Sequence, residues 1–192
     1  MRANSQVLTG LAVMLTMAGS GCGSSDSDDS ADTPGNVTPT QTSPSKPEFI
    51  TAADKVCRQL GRDTDGLVER MQQVQESYSA APDEAALDKR VRELASLLGR
   101  FEKRFRAGNE ELAGLSAPDD PTLAKYLEAR EAYADDVARL AAAQSDYADA
   151  SAEDQAEANK AIVSASKAGD RTTARLQQLA RAYGFKTCHR GA

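Results

Sequence analysis

Few residues in this chain are of a type that could carry out acid–base, nucleophilic or metal chemistry, and they stand far apart. His189 is the only histidine. A histidine-based catalytic pair would therefore have to form beside the C-terminus, where backbones fray. Cys188-His189 could ligate a soft metal if the cysteine were a free thiolate; a bridged cysteine followed by an exposed histidine accounts for the same pair. Asp63-Thr64-Asp65-Gly66 matches part of a calcium loop, but the third acid and the closing glutamate are absent. The acidic pairs Glu110-Glu111, Asp119-Asp120, Asp135-Asp136 and Glu153-Asp154 are adjacent in sequence. Neighbours on a helix point about 100° apart, so such pairs make poor shared-proton dyads. No Gly-x-Ser-x-Gly, phosphate-cradling glycine loop, His-Glu-x-x-His or di-iron Glu-x-x-His pair occurs. The expectation is a protein without enzymatic activity, cofactor or metal.

The most distinctive charge feature is a basic belt of Lys89, Arg90, Arg92, Arg100, Lys103, Arg104 and Arg106, set against Glu93 and Glu102. One reading pairs Arg100 and Lys103 with Glu131, Asp135 and Asp136 across a helix interface, fixing which helices are neighbours. The other makes Arg100, Lys103 and Arg104 a docking belt for anionic lipid head groups or cell-wall polymers. A net charge of −6 argues against nucleic acid as the partner.

Cellular address is written in the first residues. Arg2 and the α-amino group precede an apolar run from Val7 to Ala18, which is too short to span ~30 Å of hydrocarbon and reads as a signal peptide over residues 1–21. Gly19-Ser20-Gly21-Cys22, followed by a polar stretch, resembles the lipobox of bacterial lipoproteins, with Gly19 where that family usually has Leu. The resemblance implies cleavage before Cys22, its acylation, and residence on the extracytoplasmic face of the cell membrane. Ala18-Gly19-Ser20 also suits ordinary signal peptidase, which would leave Cys22 a free thiol. Three cysteines are an odd number for an exported chain. With Cys22 lipidated, Cys57 and Cys188 remain as a pair that an oxidising compartment allows to bridge, the alternative being two free buried cysteines. Residues 22–47, rich in Ser, Asp, Thr, Pro and Gly, form a linker with too little apolar content to fold.

The elements that must position these residues follow from periodicity in residues 48–192. Leu87, Val91, Leu94, Leu98, Phe101, Phe105, Gly108, Leu112 and Leu115 alternate spacings of four and three, predicting a long helix from about Asp83 to Gly114 with Pro82 at its entry. A first helix is expected from Thr51, with Thr51 as cap, Asp54 as capping-box acid and a bend near Gly61 and Gly66. A third, capped by Asp120, repeats at Leu123, Tyr126, Arg130, Tyr133, Val137, Leu140, Gln144 and Tyr147. A fourth, opened by Ser151 and closed by Gly184, turns small residues inward at Ser166, Gly169, Thr173 and Ala180. Those residues either permit close helix packing or leave room for a small apolar ligand, the latter making the domain a carrier.

The predicted fold is all-α, an elongated up-down-up-down antiparallel four-helix bundle closed by one disulfide. An even number of alternating helices returns Cys188 to the end where Cys57 lies, so helix count and bridge are mutually consistent. Ala53-Asp54-Lys55-Val56-Cys57, Ala117-Pro118-Asp119-Asp120 and Tyr183-Gly184-Phe185-x-x-Cys188 together resemble the small disulfide-closed helical domains on exported lipoproteins of high-GC Gram-positive bacteria. That resemblance implies no activity. The functional expectation is a lipid-anchored, non-enzymatic interaction or binding module at the cell envelope.

Overall fold

The computed structural model describes residues 44–188. The signal-peptide and Cys22 acylation expectations, most of the linker, and His189 lie outside the described residues. Four helices make up the fold, with no strand among the described residues: α1 (Lys46–Glu76), α2 (Glu84–Ala113), α3 (Pro121–Asp149) and α4 (Gln155–Tyr183). A short 3-10 turn at Tyr78–Ala80 links the first two.

α1 begins earlier than Thr51. Ser45 is its N-cap, and the Glu48 carboxylate accepts from both the Ser45 backbone N–H at 2.8 Å and its hydroxyl at 2.7 Å, with Pro47 in the first turn. Thr51 instead sits inside the helix, its hydroxyl donating back to the Pro47 carbonyl. The glycines at 61 and 66 do not interrupt α1, and Thr64, buried between them, bonds its hydroxyl to the Leu60 carbonyl at 2.8 Å. Asp83 caps α2 by accepting from the Ala86 N–H, so the helix begins at Glu84 and Pro82, expected at its entry, precedes the cap. Asp120 caps α3 as expected, accepting from Thr122 and Leu123, with Pro121 as the first helical residue. α4 starts at Gln155, four residues after Ser151, whose hydroxyl bonds to Asp154 in the preceding turn. It ends in a Schellman cap. Gly184 takes φ 102°, its N–H reaches the Arg181 carbonyl, and the Phe185 N–H reaches that of Ala180.

Contacts along the helices establish the alternating direction. Arg70, late in α1, meets Glu93, early in α2; Arg106, late in α2, meets Glu131, early in α3; Glu128, early in α3, meets Arg175, late in α4. The helices pack in series, α1 on α2, α2 on α3 and α3 on α4, the last pair most extensively.

The heptad stripe of α2 is the spine of the core: Val91, Leu94, Leu98, Phe101, Phe105 and Leu112 are all buried. Two apolar clusters result. The larger joins Leu60, Met71 and Val74 of α1 to the α2 stripe, Val137 and Leu140 of α3, and Ile162 of α4. The smaller lies at the base, where Phe49, Ala53 and Val56 meet Leu112, Leu123, Tyr126, Ala180, Tyr183 and Phe185. Gly108 is the gap in the stripe because Leu60 of α1 occupies its place; a Cβ there would lie 2.9 Å from Leu60 Cδ2. Gly99, one face away, has nothing within 4 Å of the corresponding position.

These two glycines respond oppositely to substitution. Gly99→Ala should raise stability by up to about 1 kcal/mol through helix propensity alone, whereas Gly108→Leu must displace Leu60 from a packed core and should cost about 1–3 kcal/mol. Urea unfolding of the full chain carrying Cys22→Ser measures both.

Candidate functional site

The base of the bundle concentrates the polar chemistry. Cys57 on α1 and Cys188 after α4 are joined in a disulfide, their Cα atoms 5.1 Å apart. Beside it Asp54, 4% exposed, turns inward to receive the C-terminal segment. Its carboxylate accepts from the N–H groups of Lys186 at 3.0 Å, Thr187 at 2.9 Å and Cys188 at 3.3 Å, and from the Thr187 hydroxyl at 2.7 Å. The expected capping role of Asp54 is thus replaced by a cradle for the tail, because α1 starts two turns earlier. Burial opposes ionisation of Asp54, but the donors of Thr187, with those of Lys186 and Cys188, outweigh it and hold the carboxyl below its ordinary value.

One turn further into the bundle a polar layer separates the two apolar clusters. Arg130 of α3 is 4% exposed. Its Nε donates to Asn109 Oδ1 at 2.6 Å and its Nη1 to the Tyr126 hydroxyl at 3.0 Å; the same Nη1 lies 3.8 Å from Cys57 Sγ. The guanidinium stacks over Phe105, 4.4 Å from the ring centroid. Nη2 is buried with no hydrogen-bond partner. Among the described residues no carboxylate touches Arg130; Glu131 is joined to it through Asn109, whose Nδ2 donates to the Glu131 carboxylate at 2.7 Å. A cation desolvated against neutral acceptors and an aromatic face is an unusual core element, since buried charges are ordinarily paired. The α3 periodicity had already placed Arg130 inward, the available signal for this layer. Asn109, flanking the α2 stripe, carried none.

The basic belt of α2 divides by flank. Arg92 bonds Asp149 and the Ala148 carbonyl of α3, and Arg90 bonds the Ser77 carbonyl. Arg106 pairs with Glu102, with Glu131 at 3.3 Å and with Asp135 at 2.7 Å, and its hydrogen bonds to Asp135 and Glu102 raise its affinity for the proton further. The interhelical partners expected for Arg100 and Lys103 therefore belong to Arg106, two heptads after Arg92 on the flank facing α3. Asp136 is buried and bonds Thr172 at 2.6 Å and Arg139. Arg100, Lys103 and Arg104 are exposed, and no carboxylate among the described residues pairs with them.

On α4 the small residues Ser166, Gly169 and Ala180 are buried. They line the helix that packs most extensively on α3, and small side chains at such an interface permit close approach of two backbones. Tyr133 fills the space beside Phe105, ring centroids 5.0 Å apart, and burial, opposed by Arg130 and aided by Asp136, pushes its hydroxyl up to about 12.

No family model matches this chain, and no curated protein or solved structure matches it either.

Because Asp54 ionises more readily in the folded protein than in the unfolded chain, its contribution is fully present above the unfolded value near 3.8 and disappears as pH falls through the lower folded value. Acid unfolding of the full chain should therefore show a loss of stability beginning near that pH. Asp54→Asn should remove this portion of the pH dependence and cost about 2–3 kcal/mol at neutral pH, because its amide would present a donor to backbone N–H groups. Equal acid profiles for the two proteins would contradict the cradle.

Proposed function

We propose that this chain is a non-enzymatic interaction module held by lipid on Cys22 at the extracytoplasmic face of a cell membrane, and that Arg100, Lys103 and Arg104 dock its bundle onto anionic lipid head groups. One observation carries the docking: on a single helix whose Arg90, Arg92 and Arg106 are all bound, these three cations are exposed and without carboxylate partners among the described residues. Like charges three and four residues apart, as in Arg100, Lys103 and Arg104, weaken a helix by a few tenths of a kcal/mol. Their role is therefore better sought outside the fold than within it.

Occupancy by lipid is argued from charge complementarity and from the address that the lipobox resemblance gives. A tethered domain meets head groups at high local concentration, and each cation close to an anionic surface contributes about 1 kcal/mol. Three together amount to roughly a hundredfold in affinity, screened over a Debye length of about 10 Å at 0.1 M salt. No helix among the described residues is long and apolar enough to cross a membrane, so attachment of the described domain falls to its surface and to whatever precedes it.

The test uses the full chain with Cys22→Ser, which removes the anchor, sedimented with phosphatidylglycerol or phosphatidylcholine vesicles. Binding to the anionic vesicles alone, weakened by salt and reduced at least tenfold by Arg100→Glu with Lys103→Glu and Arg104→Glu, is the expected result. Unfolding stability should be unchanged in that variant, since none of the three makes an ion pair. Vesicle binding that survives the substitutions would remove lipid docking by this face.

A further inference from the structure

We propose that the Cys57–Cys188 bridge is a reversible redox couple that exchanges with external thiols, with Arg130 serving as the counter-ion of the Cys57 thiolate. This does not rest on the membrane reading. It starts from an imbalance in the polar layer: among the described residues, a buried guanidinium has one nitrogen without a partner, touches no carboxylate, and has Nη1 3.8 Å from Cys57 Sγ. In the disulfide that sulfur is neutral and a weak acceptor. On reduction it can take a negative charge within reach of Arg130, and a thiolate beside an arginine is stabilised well below the ordinary thiol range of about 8.5.

The two sulfurs are electrostatically unlike. Cys57 faces the guanidinium of α3, whereas the Cys188 backbone N–H is bonded to the Asp54 carboxylate of α1. The other titratable groups around Arg130 are Tyr126, bonded to it and to the Cys188 carbonyl at 3.4 Å, Tyr133, packed on the Phe105 ring that carries the guanidinium, and Glu131, joined through Asn109. Cys57 is accordingly the better leaving group. An external thiolate, from a small thiol or a protein dithiol, attacks Cys188 Sγ, which is buried against the Ala53 carbonyl and is reached by local opening of the tail. The Cys57–Cys188 bond breaks as the mixed disulfide forms, and its electron pair leaves on Cys57 as the thiolate held by Arg130. A second external thiolate then attacks the external sulfur of that mixed disulfide. It releases the oxidised external disulfide and a Cys188 thiolate, which takes a proton from solvent. Two electrons pass to the bundle, and reoxidation reverses each step.

A couple of this kind must keep its sulfurs together when reduced. The tail does not depend on the bridge alone, because Asp54 holds Lys186, Thr187 and Cys188, and Phe185 is buried among Phe49, Tyr126 and Tyr183. Reduction leaves these contacts in place.

The test is the pH profile of iodoacetamide alkylation at Cys57 in the full, reduced chain with Cys22→Ser, each cysteine read by peptide mass spectrometry and folding followed by far-ultraviolet circular dichroism. The expected midpoint for Cys57 lies at least one pH unit below that for Cys188. Arg130→Gln should move the Cys57 midpoint up by one unit or more, and Arg130→Lys, which keeps the charge, should hold it low. Should Arg130→Gln fail to fold, the midpoints of the parent chain and of Arg130→Lys decide. A Cys57 midpoint at or above 8.5, a midpoint indifferent to loss of the charge, or a reduced chain that loses its helical signal would each overturn the proposal.

Discussion

The joining of the first helix to the last governs this fold. Four helices packed in series leave α1 and α4 at the two ends of the series, with a core that needs both. At the base the chain solves this twice with adjacent residues. Cys57 bonds covalently to Cys188, and Asp54 accepts from the three N–H groups immediately before and at that cysteine. The covalent part stabilises chiefly by restricting the unfolded chain, about 5 kcal/mol for a closed loop of this size in the chain-entropy model. The polar part acts on the folded state, replacing water at donors that a tail beyond a helix would otherwise leave unpaired. Together they fix which end of α4 meets α1. The rings of Phe49, Tyr126, Tyr183 and Phe185 then close over the junction.

Placed directly above that junction, the Arg130 layer works against stability: desolvating a cation costs several kcal/mol, and its partners are neutral. What the layer supplies is register. Arg130, Asn109, Tyr126 and Cys57 come from three helices. A slip of one turn between α2 and α3 would separate the guanidinium from Asn109, and purely apolar contacts would not enforce that. The aromatic face of Phe105 lessens the cost of this specificity, since a guanidinium stacked on a ring loses less on leaving water than an ammonium would.

Much of this architecture was legible in the sequence, and the rest was not for identifiable reasons. The α2 stripe is read correctly because its period survives over four heptads and every position but the glycine is apolar. Ser45 was missed as the start of α1 because its capping box with Glu48 stands in a polar stretch, with the first buried residue, Phe49, only just following. Asp54 was misread for a deeper reason. Its partners lie 132 to 134 residues away, and no local pattern predicts a carboxylate that serves the far terminus. Arg130 was placed inward by the spacing of α3, but the repeat could not show that it would have no acidic partner. The basic belt failed in part because the heptad identifies the buried stripe more securely than the two flanks beside it. Arg106 lies on one flank and Arg104 on the other, only two residues apart, and they meet different surroundings.

That difference between flanks also orders the electrostatics of the molecule. Toward α3 the cations of α2 are used internally: Arg92 reaches the far end of α3, and Arg106 gathers Glu102 of its own helix with Glu131 and Asp135 from the first half of α3. Such exposed pairs add little stability individually, yet placed at both ends of one interface they disfavour any other neighbour or direction for α3. The deeper charges, Asp54 and Arg130, are met by hydrogen bonds and, for Arg130, by an aromatic ring with Nη2 left over, instead of by each other, although both lie at the bridge. Keeping them apart leaves a negative group on one side of the disulfide and a positive group on the other. A bridge serving only as a staple would gain nothing from that polarity, whereas a bond broken heterolytically gains from it directly, because one sulfur must depart with the electron pair.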